Sequence, residues 1–221
     1  MVSDTAAKAQ RGGAWPLVVR LTAVDGTAGH PWARRLMTRA AARRDLSDAV
    51  HALTMLHGNQ PGVADDALLR CVQPDACDWL GEVAAGFAGE RAVLARLVAA
   101  AGPLPSTPGQ AASESAILGQ RHALEMLARS DRLGCASGAV AAMLIDWSAV
   151  RGVLDHAGRC FSIPVPPPQL PVEIDTATTI AALGGTPATE RAIAFGAQQL
   201  LAQHRGLWTL LEARAEARDR G

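Results

Sequence analysis

Alanine sets the terms on which this chain can fold. It recurs through nearly every segment, while Tyr is absent and aromatic residues make up only 4 %. Alanine is the strongest helix former because ordering it costs no side-chain entropy. The β-branched and aromatic residues that favour strands are sparse outside short stretches. The expected fold class is therefore all-α, an antiparallel helical bundle whose helices approach closely through small side chains. The 221 residues suffice for one domain with a substantial core.

Proline and glycine divide the chain. Residues 1–30 read as an irregular N-terminal segment, with Leu17–Leu21 as a candidate short strand among glycines. A single bundle domain is expected over 31–218. Its first helix opens at Pro31, where a missing N–H costs nothing, and runs to His57, with a candidate break near Asp45. A second helix opens at Gln73-Pro-Asp75 and ends at Gly102-Pro103. A third starts at Ser106-Thr-Pro108, and a fourth follows the corner Asp131–Gly134 and ends near Gly158. Pro164–Pro171 must be extended and serves as a crossover before a last helix capped by Thr186-Pro187. The total is about five helices joined by turns short enough to make neighbours antiparallel.

Charge and cysteine usage narrow the function classes. The formal net charge is zero, with Lys8 the single lysine, so the basic excess of a nucleic-acid binder is missing. No apolar run approaches the roughly 18 residues of a membrane span, and the N-terminus lacks the charged and apolar regions of a signal peptide. Cys71, Cys77, Cys135 and Cys160 form no C-x-x-C pair, so the expectation is a cytoplasmic protein with reduced thiols. An exposed Ala-rich face offers a route to a homodimer; no protein partner can be named.

Polar residues on apolar stripes are the informative exceptions. Trp79, Val83, Phe87, Leu94 and Leu97 share a face of the second helix, and Glu90 lies on it. Ile193, Ala197, Leu200, Leu201, Leu207 and Leu211 share a face of the last helix, with Glu190 at its start and His204 in its middle. Asp146 borders the stripe of Met143, Val150, Val153 and Leu154. On the third helix, Leu118, His122 and Glu125 follow at helical spacing, one turn after Glu114 and beside Arg121. A charge facing a core must be paired or bound to metal. Glu90 is expected to pair with Arg91 or Arg121, and His57 to sit favourably at a helix C-terminus.

Carboxylates and imidazoles projecting inward from four helices, together with the helix lengths and the late connection, resemble the ferritin-like superfamily over roughly residues 73–218. That resemblance implies a metal site of Glu90, Glu114, His122 and Glu190 holding iron or manganese, in an oxidoreductase or storage protein. The superfamily's Glu-x-x-His is replaced here by the reversed His122-x-x-Glu125. A second alternative is a small-molecule pocket between the third and fourth helices, built from Arg121, His122, Asp131 and Arg132. The leading expectation is a non-catalytic interaction or structural module, because pairing explains the same residues without an absent motif.

Overall fold

The computed structural model describes residues 13–104 and 109–220. Among them the fold is all-α and contains no strand. In chain order the helices are α1 (Ala14–Asp25), α2 (Pro31–Leu36), α3 (Arg43–His57), α4 (Val63–Arg70) and α5 (Cys77–Ala101). They are followed by α6 (Gln110–Ala128), α7 (Cys135–Phe161), α8 (Glu173–Leu183) and α9 (Pro187–Arg220), and 3₁₀ turns occupy Thr27–Gly29 and Pro74–Ala76.

The most extensive contact joins α7 and α9. Every residue from Cys135 to Met143 is buried, as expected of a helix apolar all round. By length and composition α7 could cross a membrane, but 72 % of its apolar window lies inside the protein, where α9, α1, α5 and α6 cover it. Two glycines let α7 and α9 meet backbone to backbone. A Cβ at Gly138 would collide with the backbone of Ile193, and one at Gly196 with the carbonyl of Cys135. Around this contact lie Trp147, Trp208, Leu154, Met143 and Ile193, all fully buried. Each contributes about 1.5–3 kcal/mol by leaving water.

The remaining helices close around this pair. α3 packs on α5 and α6, α4 on α5, and α1 on α9. α9 starts as the sequence suggests, with Thr186 Oγ1 accepting from the amide of Thr189 at 3.1 Å. The proline segment is extended, as expected, and is pinned across the bundle. Arg96 donates to the carbonyl of Pro164 at 3.1 Å, and Arg151 to that of Pro166 at 2.5 Å.

Several local expectations are corrected. Residues 14–25 are helical rather than irregular, and Leu17–Leu21 lies inside α1: Ala14 and Val18 are buried one turn apart, so tertiary packing overrides strand propensity. The candidate break near Asp45 is present, in contrast: residues 31–57 form two helices, interrupted at residues 37–42. α4 and α8 are additional helices, too short to show a long periodic signal. The start expected at 106–108 lies outside the described residues, and α6 begins at Gln110. Cys71 and Cys77 are joined in a disulfide with Cα atoms 5.8 Å apart, so only Cys135 and Cys160 are free thiols.

Replacing Gly196 by Ala is expected to destabilise the chain by about 3 kcal/mol, because the added methyl meets backbone that cannot yield. Gly89→Ala, on α5 with open space around it, should be neutral or stabilising by about 0.5–1 kcal/mol. Urea unfolding monitored by circular dichroism distinguishes the two.

Candidate functional site

A buried chain of hydrogen bonds occupies the bundle centre. Its anchor is Asp146 on α7, 1 % exposed. Oδ1 accepts from the backbone N–H of Thr27 at 2.6 Å. Oδ2 accepts from the Thr27 hydroxyl and from Nδ1 of His204, each at 2.6 Å. The Thr27 hydroxyl in turn accepts from the indole N–H of Trp208 at 2.8 Å. The 3₁₀ turn after α1 is thereby tied to both α7 and α9.

His204 carries the chain onward. Its Nε2 lies 2.9 Å from Nε2 of His57, the last residue of α3. With Nδ1–H held by the carboxylate, the His204 ring meets His57 through Nε2, and one of the two Nε2 atoms donates to the other. The His57 ring packs edge-on against Trp147 with centroids 5.3 Å apart, and near Phe87 at 6.2 Å. Burial, and secondarily the neighbouring His204, hold the His57 pKa well below its ordinary value, so it is neutral. Burial alone would push the Asp146 carboxyl upward. The bond and charge of His204 and the two bonds from Thr27 outweigh that and hold it below the usual carboxylate value.

A second buried network lies alongside. Glu90 on α5 is 2 % exposed. It accepts from the indole of Trp147 at 2.8 Å and from Arg151 at 3.1 and 3.2 Å. Its partner is thus neither Arg91, which bonds Asp65 at 2.8 Å, nor Arg121, which pairs with Glu125 at 3.1 Å. Arg151 lies 61 residues from Glu90, and only the packing of α5 on α7 brings them together.

The four residues expected as metal ligands do not gather. Among the described residues no group of three His, Cys, Asp or Glu side chains could hold a metal ion. Glu90 is engaged with Arg151. Glu114 accepts from Gln110 at 2.9 Å within the first turns of α6. Glu190 lies in the first turn of α9. The His122 side chain is 73 % exposed, 3.7 Å from Glu125. The phase of the third helix explains this: its buried face is Ser113, Ile117, Leu124, Leu127 and Ala128, so Leu118 and His122 point to solvent.

The expected small-molecule pocket is also redistributed. Asp131 pairs with Arg70, and Arg132 stacks over Phe195 at 5.9 Å. A groove of about 240 Å³ does run beside that corner, but Met126, Leu127, Ser130, Cys135, Phe195 and Gln199 are among the residues that line it.

Sequence reasoning placed Asp146 and His204 near the core but missed Thr27, Trp208 and the role of His57. The spacing of His204 and Trp208, one turn apart on the buried stripe of α9, was the available signal. Nothing local marks Thr27, which is 119 residues from Asp146.

Chemically, an aspartate that orients an imidazole is half of a general-base arrangement. Here Nε2 of that imidazole is taken by a second imidazole, in a shell of aromatic rings. Among the described residues, cavities of about 20–300 Å³ are lined by other side chains. Residues 22–219 match a family of unknown function, DUF6975. No curated protein and no solved structure matches the chain.

Because folded His57 has a lowered pKa, the unfolded chain binds its proton first. This contribution is complete above about pH 6.5 and is lost as pH falls from there toward the folded value. Unfolding free energy is therefore expected to decline below about pH 6.5, with His57→Leu flattening that slope in urea titrations at stepped pH. Glu90→Gln, which leaves the buried Arg151 guanidinium only the partly exposed Asp155 carboxylate at 3.3 Å, should cost about 1–3 kcal/mol at neutral pH.

Proposed function

The chain belongs to DUF6975, a family of unknown function, and we propose that it serves as a non-catalytic helical module acting through protein contacts at its surface. One observation carries this reading: the charged groups facing the bundle centre end on one another. Asp146 is satisfied by Thr27 and His204, and Glu90 by Trp147 and Arg151. Groups so engaged rigidify a core; converting them to catalysts or metal ligands would strand their partners at several kcal/mol each.

The contact face we assign is the α6–α9 groove. Met126 and Phe195, 59 % and 44 % exposed, line it together. Such clustering marks interaction sites more often than scattered single residues do. The partner we assign is a second copy of the chain, whose zero net charge leaves no long-range repulsion to oppose self-association.

Sedimentation velocity on the full chain tests this. The expected result is a concentration-dependent dimer that dissociates in Met126→Asp/Phe195→Asp while helicity by circular dichroism is unchanged, since both side chains are exposed. A wild-type chain that stays monomeric to about 100 μM, where even a weak micromolar dimer would form, contradicts the assignment.

A further inference from the structure

The start of α3 and the end of α9 flank a half-open cavity that the buried networks do not explain. It measures about 300 Å³, with Arg43, Arg44, Ser47 and the Asp48 carboxylate on one side, Arg214 and Arg218 on the other, and Leu104 in the apolar part of its wall. Four guanidiniums around one cavity repel one another unless anions answer them. Three carboxylates do so in part. Asp45 bonds Arg218 at 2.7 Å and lies 3.8 Å from Arg44. Asp48 pairs with Arg218 and, at 3.6 Å, with Arg214. Asp219 pairs with Arg44.

One positive charge is left over, and it is located on Arg43. Among the described residues Arg43 has no carboxylate partner. It donates to the carbonyl of Cys160 at 2.5 Å and lies over the Phe161 ring at 4.7 Å. Nε of Arg218 is buried and also lacks a partner among the described residues. Asp45 and Asp48 are themselves buried, at 5 % and 8 % exposure, so they fix Arg214 and Arg218 in place. Guanidiniums held this way are preorganised donors for an oxyanion, because their rotamer entropy is already lost. The cavity also abuts the first turn of α3, whose N-cap residue Ala42 makes no side-chain cap, leaving amides that favour negative charge.

We propose that this cavity is a binding site for a small organic phosphate. Its phosphoryl oxygens face Arg43, Arg44, Arg214 and Ser47, and its carbon skeleton lies against Leu104 and the adjoining end of α5. Phosphate fits better than carboxylate because donors converge from two helices, and a tetrahedral dianion offers three terminal oxygens where a carboxylate offers two in one plane.

The test is an NMR titration of the full chain, following arginine side-chain Nε–H signals with phenyl phosphate, inorganic phosphate and benzoate as probes. Phenyl phosphate is expected to give saturable shifts at Arg43, Arg44, Arg214 and Arg218, binding more tightly than inorganic phosphate because its ring meets the apolar wall. Arg43→Ala removes the one guanidinium with no acid to strand and should weaken binding by about tenfold or more. Ser47→Phe, which fills the cavity, should abolish binding in a chain that still folds by circular dichroism. Absence of saturable shifts up to about 10 mM, beyond the weakest useful affinity, overturns the proposal. So does binding indifferent to both substitutions, or benzoate binding as tightly as phenyl phosphate. Binding to phosphatidic acid vesicles with none to phenyl phosphate would assign the site to a membrane surface and overturn it equally.

Discussion

The carboxylate of Asp146 is the interaction on which the rest of the structure depends. An ionised acid at 1 % exposure is tolerable only if its lone pairs are met by donors. The donors come from two other parts of the chain: Thr27 in the turn after α1, and His204 on α9. Through His204 the chain of bonds reaches His57 at the end of α3, and through Thr27 it returns to Trp208 on α9. The network therefore fixes the relative positions of α3, α7, α9 and the N-terminal turn, which apolar packing of Ala-rich surfaces would leave loosely specified. Half-satisfied, it would cost more than an apolar core; satisfied, it selects one register.

Small residues make that register attainable. α7 and α9 meet at Gly138 and Gly196, where either Cβ would strike the other helix's backbone. The close approach seats Asp146 and His204 within hydrogen-bonding distance. On the opposite side of α7 the pairing of Glu90 with Trp147 and Arg151 holds α5, and Arg151 reaches on to the carbonyl of Pro166. One helix thus carries two buried acid–base networks one turn apart, and the rigid proline segment is locked by the second of them. Cavities and exposed apolar residues lie at the periphery, which is where the functional assignments belong.

Much of this was legible in the sequence. Alanine content and breaker placement led to the all-α class, to α5, α7 and α9, and to the extended proline crossover, because those helices are long enough for periodicity to speak clearly. The stripes on α5, α7 and α9 are buried as read. α6 differs in phase: the sequence spacing points Leu118 and His122 inward, whereas Ile117 and Leu124 are the buried ones. A stripe with few large apolar residues fixes phase poorly, and the error carried His122 into a metal site that the fold does not assemble. Thr27, Arg151 and His57 were beyond sequence reasoning for a different reason. Their partners lie 119, 61 and 147 residues away, and no local pattern encodes which helices will pack.

The central claim is that Asp146, His204 and His57 form a buried hydrogen-bonded chain with His57 neutral. Nitrogen-15 NMR of the imidazole rings, followed from pH 8 to 5, tests it most directly. The account predicts a proton fixed on Nδ1 of His204, strongly deshielded and slow to exchange with solvent, and a His57 ring still neutral as pH falls below 6.5. A His57 that takes up a proton at its ordinary pH, or a His204 proton in rapid exchange with water, would contradict it.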